Sequence, residues 1–283
     1  MTVRIVTDST ADLPPELAQD MGIVVVPLNV HFGDEVFMDG VTINADEFYQ
    51  RLVASPELPK TSQPSMGAFM ETYQQLLTNA NGIVSVHISS KVSGTVNSAQ
   101  QAVGELVNDS IEVVDTLQTS LALGLIAVAA AKVAQSGASL AEVVAEAKSA
   151  SRRARFYGVV ETLEYLKKGG RIGKAQALMG SLLRIKPILT MQEGIAHPVE
   201  KVRTRAKGLQ RMAAITADLA PLEALGIMSS DVAGDTDLIA NAMIQRLPDS
   251  NPVIGRFGPV LGTYLGPGSL GVAVLRAKEL DQP

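Results

Sequence analysis

Val3-Arg4-Ile5-Val6-Thr7-Asp8-Ser9-Thr10-Ala11-Asp12-Leu13-Pro14 opens on a short apolar run that polar residues break at once, and a helical pattern follows over 14–21. A second strand-like run at 23–28 and a second helical pattern at 46–54 come next. Strands alternating with helices read as an α/β fold, in which crossover helices cover a sheet of mostly parallel strands. Further strands are expected at 82–88 and 111–115, and helices at 67–79, 94–106, 119–135 and 140–155. In an open parallel sheet, ligands collect beyond the carboxyl ends of the strands, and Asp8 stands at such an end. There it can bind a metal, act as a base or satisfy turn amides. Asp-Ser-Thr after a strand is also a good helix-entry sequence, which favours the amide role.

Around 152–160 the chain leaves an alanine-rich helical pattern and enters Phe156-Tyr157-Gly158-Val159-Val160, the start of a second series of elements. The expected organisation is therefore two α/β domains, 1–156 and 157–283. The second series reads as a helix at 164–167, a glycine-basic loop, a helix to about 183 and strands at 187–191 and 199–202. A helix at 206–219, a strand at 224–229, a helix at 236–246 and closing strands at 253–257 and 272–275 complete it.

Composition narrows the function. The 24 Lys and Arg against 29 Asp and Glu leave a net charge of -5, and no long basic block is present, which disfavours nucleic acid as a partner. With no cysteine, thiolate metal sites and disulfides are excluded, and His31, His87 and His197 are the imidazole candidates, so no metal is expected. The amino terminus lacks the long apolar stretch of a signal peptide, giving an expected cytoplasmic location. The apolar stretch 121–133 is shorter than the roughly 20 residues of a membrane span, so it reads as a buried core helix without stable membrane insertion.

Three clusters of small hydroxyl residues and glycines can form a hydrogen-bonding cup: Thr61-Ser62-Gln63-Pro64-Ser65, Ser89-Ser90-Lys91-Val92-Ser93-Gly94-Thr95 and Gly262-Thr263-Tyr264-Leu265-Gly266-Pro267-Gly268-Ser269. Such clusters bring backbone N–H groups and hydroxyls close to a small anionic head group. Each also has a plainer reading. Ser65 fits the N-cap of the next helix, and Ser93-Gly94-Thr95 can either cap a helix or hold an anion at its start. Gly266 to Gly271 spells G-x-G-x-x-G, but no strand-and-helix unit follows, so a glycine turn between two strands is simpler than a dinucleotide site. Lys168-Gly169-Gly170-Arg171-Ile172-Gly173 is not a P-loop: Lys168 stands where glycine is needed and Ala175 where Ser or Thr is needed. Arg171 either orders that turn through carbonyl contacts or pairs with an anion. No G-x-S-x-G elbow is present.

The ordered set Thr7-Asp8-Ser9, Lys60 to Ser65, Ser89 to Ala99, Glu161-Thr162-Leu163 through Gly173, Lys186-Pro187-Ile188 and Gly262 to Gly271 resembles the DegV family of bacterial fatty-acid-binding proteins across essentially the whole chain. The resemblance implies two α/β domains holding one long-chain fatty acid, such as palmitate, between them, its carboxylate at the hydroxyl cluster and its tail in an apolar tunnel. It implies a carrier with no catalytic residues and no cofactor, which presents the lipid to a separate ATP-dependent fatty-acid kinase. The carboxylate ligands then fall on Thr61 and Ser93, with Ser62, Gly94 and Thr95 beside them and Arg171 in support. The family commonly has histidine in the segment where this chain carries Tyr264, which can donate one O–H bond but cannot become cationic.

Composition agrees with an alkyl ligand: 4% aromatic residues, no tryptophan and ten methionines suit a flexible tail better than a stacked planar cofactor. An enzyme working on an acyl or phosphorylated substrate through Ser93 or Asp8 is the alternative, and a regulatory protein with a structural lipid is another. In the segment 201–211, five of eleven residues are cationic, Arg203 and Arg205 among them, and this reads either as a surface docking the kinase or as a solvated helix start.

Overall fold

The computed structural model describes residues 2–181, 185–230, 235–247 and 250–278. The opening strand, Val3–Asp8, lies inside an all-parallel sheet in the order Ile23–Val26, Val3–Asp8, Gly82–His87, Ile111–Asp115. Both faces are covered, which is why its strands are apolar at successive positions rather than at alternate ones. Val3 and Ile5 face helices Ser120–Gln135 and Leu140–Arg153, whereas Val6 packs with Phe69 and Tyr73 of Met66–Leu77 and with Ala99 and Ala102 of Thr95–Leu106.

A second sheet of six strands runs Ile195–Val202, Lys186–Gln192, Ala154–Val159, Leu270–Arg276, Leu222–Ser229, Val253–Arg256. Its neighbours are antiparallel except for the last pair. Helices Arg205–Ala217 and Asp235–Ile244 cover one face. The other face meets helix Ser120–Gln135, in which every residue from Ser120 to Ala131 is buried. Leu123, Ala127, Ala130 and Ala131 of that helix pack on the parallel sheet, and Leu121, Leu125, Ile126 and Ala129 on the mixed one. A helix covered on two opposite sides is apolar all round, and this one is the buried core helix expected from 121–133.

The second sheet starts directly at the end of helix Leu140–Arg153, so the expected helix over 140–155 is shorter and the expected junction between 156 and 157 falls inside strand Ala154–Val159. Arg153 ties the two units together. It is 1% exposed, and its guanidinium donates to Glu146 at 2.8 Å, Glu223 at 2.7 Å and the Arg276 carbonyl at 2.5 Å. A charge so buried persists only when paired and hydrogen-bonded.

Two parts of the chain differ from the sequence expectation. A third, antiparallel sheet in the order Glu35–Met38, Asn29–Phe32, Lys60–Ser62 occupies what reads as loop and hydroxyl cluster. Its hairpin closes on Gly33-Asp34 with Gly33 at φ +59, the backbone a two-residue turn needs at its first position. The glycine turn expected at 266–271 between two closing strands is a turn that joins helix Pro259–Leu265 to strand Leu270–Arg276, and strands Val253–Arg256 and Leu270–Arg276 each pair with Leu222–Ser229 instead of with each other. Proline at the first helical position and Gly266 just after the end are the usual signals of such a helix. The helix expected to run to about 183 is a 3-10 helix, Gly173–Ser181, and the expected end lies outside the described residues. Among the described residues no helix is long and apolar enough to cross a membrane, and no group of three His, Asp or Glu is placed to hold a metal ion.

Candidate functional site

The small sheet and the mixed sheet, with the segment that follows strand Gly82–His87, line one apolar cavity. Leu28, Ile88 and Val92 line it from the amino-terminal half, and Phe156, Leu189 and Met191 from the mixed sheet. Leu261 and Leu265 add the buried side of helix Pro259–Leu265. An alkyl chain is the ligand shape that such aliphatic walls can exclude from water.

The hydroxyl clusters meet at this cavity, though not with every residue expected. Thr61 Oγ1 lies 2.5 Å from the Tyr264 hydroxyl, joining residues 203 positions apart, and both line the cavity. In that pair one proton is spent between the two oxygens, leaving the other free for a ligand. Ser93 also lines the cavity, and its Oγ lies 2.9 Å from Thr95 Oγ1 and accepts from the Thr95 N–H at 3.3 Å. Thr95 is fully buried, so it supports Ser93 rather than reaching the cavity. The helix there starts at Thr95 after Gly94, which has no side-chain cap bond, so Ser93 sits one position before the cap.

Ser62 is turned away. Strand alternation puts it on the face opposite Thr61, and its Oγ takes hydrogen bonds with His31 Nε2 at 2.9 Å and Asn29 Nδ2 at 3.4 Å. Ser65 is the N-cap of Met66–Leu77, accepting from the Ala68 N–H at 3.1 Å.

Arg171 takes the first of its two expected roles, ordering the turn through carbonyl contacts. Its Nε donates to the Val92 carbonyl at 3.1 Å and its Nη1 to the Gly169 carbonyl at 2.7 Å, while the guanidinium sits 5.0 Å over the Tyr264 ring and lines the cavity. Gly169 makes this stack possible: a Cβ there would lie 2.4 Å from Tyr264 Cδ1. Val92, Ser93 and Arg171 further line a surface recess with Lys91 and Gly94, so the hydroxyl end of the cavity opens beside two cations. That charge suits a carboxylate.

Gln63, Thr119 and Thr190 also line the cavity. Sequence reasoning missed all three as cavity-lining residues. Gln63 stood inside a quoted cluster, Thr119 looked like an ordinary helix entry, and a threonine in strand Lys186–Gln192 carries no signal of its own.

Asp8 takes the plain role. Its carboxylate accepts from the N–H groups of Thr10 at 3.1 Å and Ile88 at 3.0 Å, and contacts His87 Nδ1 at 2.9 Å. Tyr73 donates to Ser85 at 2.8 Å, and Ser85 lies 2.7 Å from His87 Nε2. The order Asp8, His87, Ser85 resembles a hydrolase triad, but all three side chains are fully buried and none lines the cavity. Their bonds tie strand Val3–Asp8 to strand Gly82–His87 and hold the start of the loop that delivers Ser93.

In the basic segment, Arg203 is exposed, whereas Arg205 donates to Glu161 at 3.1 Å and to the Gly268 carbonyl. Arg211 pairs with Glu200 at 2.6 Å. Arg205 therefore anchors the turn after Tyr264 and is not a loose surface cation.

With the cavity and its two hydroxyl pairs in view, comparison with known proteins is direct. The model of the DegV family matches residues 2–277. The chain belongs to the DegV family. A DegV domain-containing protein of Streptomyces coelicolor is 41% identical over 280 residues, covering 96% of this chain and 98% of the relative. Among solved structures, a fatty-acid-binding DegV family protein from Thermus thermophilus superposes with a TM-score of 0.87 at 34% identity, covering 97% of this chain and 99% of that one. A stearic-acid-binding protein from Eubacterium ventriosum superposes with a TM-score of 0.88 at 26% identity, covering 98% of this chain and 99% of its own. The mixed α/β architecture read from the sequence is thus that of DegV proteins whose structures are of fatty-acid binders.

Proposed function

We propose that this DegV protein holds one long-chain fatty acid, with the carboxylate at Thr61, Ser93 and Tyr264 and the tail along the aliphatic wall, and presents it to a separate fatty-acid kinase in the cytoplasm. The observation that carries the reading is the convergence of the Thr61–Tyr264 and Ser93–Thr95 hydroxyl pairs on one apolar cavity whose mouth carries Lys91 and Arg171. Gly94 lets the Gln63 side chain lie against the backbone, where a Cβ would come within 2.9 Å of it, and Arg171 sits over the Tyr264 ring, so both act around the head group rather than on the tail. Burying about 14 methylenes is worth a gross gain of roughly 11 kcal/mol, so the tail supplies most of the affinity. Removing a carboxylate from water costs several kcal/mol, and two or three charge-assisted bonds of about 1.5–3 kcal/mol each offset it. A neutral hydrocarbon gains nothing from those donors, which is the basis of selectivity for acids. The lipid carried by the purified protein is read directly by native and denaturing mass spectrometry. A protein that carries no fatty acid and takes up none on titration overturns the proposal.

Replacing Tyr264 by phenylalanine removes one O–H and leaves the ring stacked under Arg171. The expected result is a loss of about tenfold for the fatty acid and a smaller loss for the matching fatty alcohol, since a bond to a charged acceptor is about twice as strong as a neutral one. Equal losses for acid and alcohol reassign Tyr264 to packing.

Kinase docking is proposed at the basic segment, now centred on Arg203. Arg205 holds the Gly268 turn, so reversing its charge disturbs the head-group region, and Arg203→Glu alone is the cleaner test. It is expected to slow acyl-phosphate formation with the cognate kinase by about tenfold at low salt, and raised salt should slow the unsubstituted protein in the same way. Normal coupled turnover at low salt removes this surface from the docking site.

A further inference from the structure

Resting on the fatty-acid reading, we infer that Ser89 is a positioning residue for the carboxylate: it acts through Ser93, and it ties the loop that carries Ser93 to the hairpin that walls the tail. Ser89 opens the second hydroxyl cluster, yet it is fully buried and does not line the cavity. Both hydrogen bonds of its hydroxyl are to backbone. Its Oγ donates to the Gly194 carbonyl at 2.8 Å and accepts from the Lys91 N–H at 3.2 Å. Its own carbonyl accepts from the N–H groups of Val92 at 3.1 Å and Ser93 at 3.2 Å. Residues 91–93 thus all return their N–H groups to Ser89, so the place of Ser89 decides the place of Ser93.

Gly194 lies in the turn between strands Lys186–Gln192 and Ile195–Val202, and Leu189, Met191 and Ala196 of that hairpin line the cavity. The turn meets the loop backbone first. Gly194 has φ +80, and a Cβ there would lie 2.5 Å from Ser89 Oγ, 2.9 Å from Lys91 Cγ and 3.0 Å from Leu117 Cδ2, so only glycine fits both the conformation and the approach. Two contacts with the mixed-sheet half therefore hold the loop: Gly194 through Ser89, and Arg171 through its 3.1 Å bond to the Val92 carbonyl. Ser89→Ala takes away the first of them. It leaves the Gly194 carbonyl and the Lys91 N–H without these partners but keeps the bonds to the residue 89 carbonyl, so the turn survives while its placement loosens. A binding hydroxyl must stay within about 0.5 Å of its productive place, and a hydrogen bond weakens steeply as its angle worsens.

The test is a titration of delipidated protein with stearic acid and with octadecanol, which has the same tail and no charge. Ser89→Ala is expected to weaken stearic acid about tenfold, the worth of one buried hydrogen bond, and octadecanol clearly less. Made on top of Ser93→Ala, the same substitution should cost the acid nothing further, because the hydroxyl it positions is already gone. Gly194→Ala breaks the contact from the hairpin side with Ser89 intact and should give the same split between acid and alcohol, which keeps the inference testable if Ser89→Ala does not fold. Equal losses for acid and alcohol, no loss at all, or an acid loss that persists on top of Ser93→Ala overturns this inference alone and makes Ser89 a packing residue. Ser93→Ala that binds stearic acid as the parent does overturns it too, since Ser89 then has nothing to position. If stearic acid does not bind the unsubstituted protein, the fatty-acid reading fails and this inference with it.

Discussion

Thr61→Val combined with Ser93→Ala is expected to weaken fatty-acid binding by about 2–4 kcal/mol, a roughly 30- to 700-fold rise in Kd, with the fold intact. The two residues approach the cavity from unrelated elements, Thr61 on the short strand Lys60–Ser62 and Ser93 just before helix Thr95–Leu106. Each works through a partner. Loss of the Thr61 hydroxyl leaves Tyr264 without its 2.5 Å neighbour, and loss of Ser93 leaves the buried Thr95 hydroxyl without its own. The single substitutions should therefore exceed half of the double effect if Tyr264 and Thr95 re-aim poorly, and a double-mutant cycle measures that coupling. Valine keeps the shape of threonine in a strand, and Ser93→Ala removes the oxygen that accepts from the Thr95 N–H, so circular dichroism should keep its shape while the melt falls by a few degrees. Unchanged affinity in a direct titration of the double variant removes both residues from the site. A loss confined to Ser93→Ala places the carboxylate on the cationic recess instead of between the two pairs.

How far the sequence reveals this site depends on how local its signals are. The parallel sheet is legible because strands such as Val3–Asp8 and Ile111–Asp115 are followed by a helix signal within a few residues. Helix Ser120–Gln135 is legible as buried because its apolar character has no polar face. The small sheet is not, since its third strand is only Lys60–Ser62 and is defined by pairing with His31 and Val30 rather than by any pattern of its own. That pairing also separates Thr61 from Ser62, two residues that look equivalent in the chain and face opposite ways in the fold. Tyr264 is legible as a member of the third hydroxyl and glycine cluster, but its pairing with Thr61 is not, because a 203-residue separation has no trace in local sequence. Arg205 shows the same limit from the other side: a charge run reads as surface, while its partners Glu161 and Gly268 are brought to it by folding. The Asp8, His87 and Ser85 chain is likewise a product of neighbouring parallel strands, and only its burial separates it from a catalytic triad.

Asp39→Asn is expected to remove a loss of stability that the unsubstituted protein suffers between pH 5 and pH 8. Asp12 and Asp39 converge on the start of helix Pro259–Leu265, the helix that carries Tyr264. Asp12 accepts from the Gly258 N–H at 2.9 Å and from Ser120 Oγ at 2.9 Å, and Asp39 accepts from the Val260 N–H at 3.4 Å. A Cβ placed on Gly258 would lie 3.1 Å from an oxygen of each carboxyl group, which shows how closely both crowd that turn. Burial, with the nearby charge of Asp8 adding to it, pushes Asp39 from an ordinary value of 3.8 up to about 7, and Asp12 is raised in the same direction by burial and by Asp39. A raised carboxyl pKa means that the folded chain binds the proton more tightly than the unfolded chain does. The stabilisation is complete below the unfolded value, declines as pH rises, and is gone once pH passes about 7. Between pH 5 and pH 8 the contribution of Asp39 falls by on the order of 2–3 kcal/mol, equivalent to a Tm lower by about 5 °C for a chain of this size. Asparagine keeps an oxygen for the Val260 N–H and cannot ionise, so the variant should match the parent near pH 5 and melt higher than it at pH 8. The difference between the two profiles reports Asp39 together with its effect on Asp12, whose carboxyl Asp39 helps to raise. Parallel profiles from pH 5 to pH 8 would show that Asp39 stays ionised throughout and that the helix holding Tyr264 rests on a charged cap.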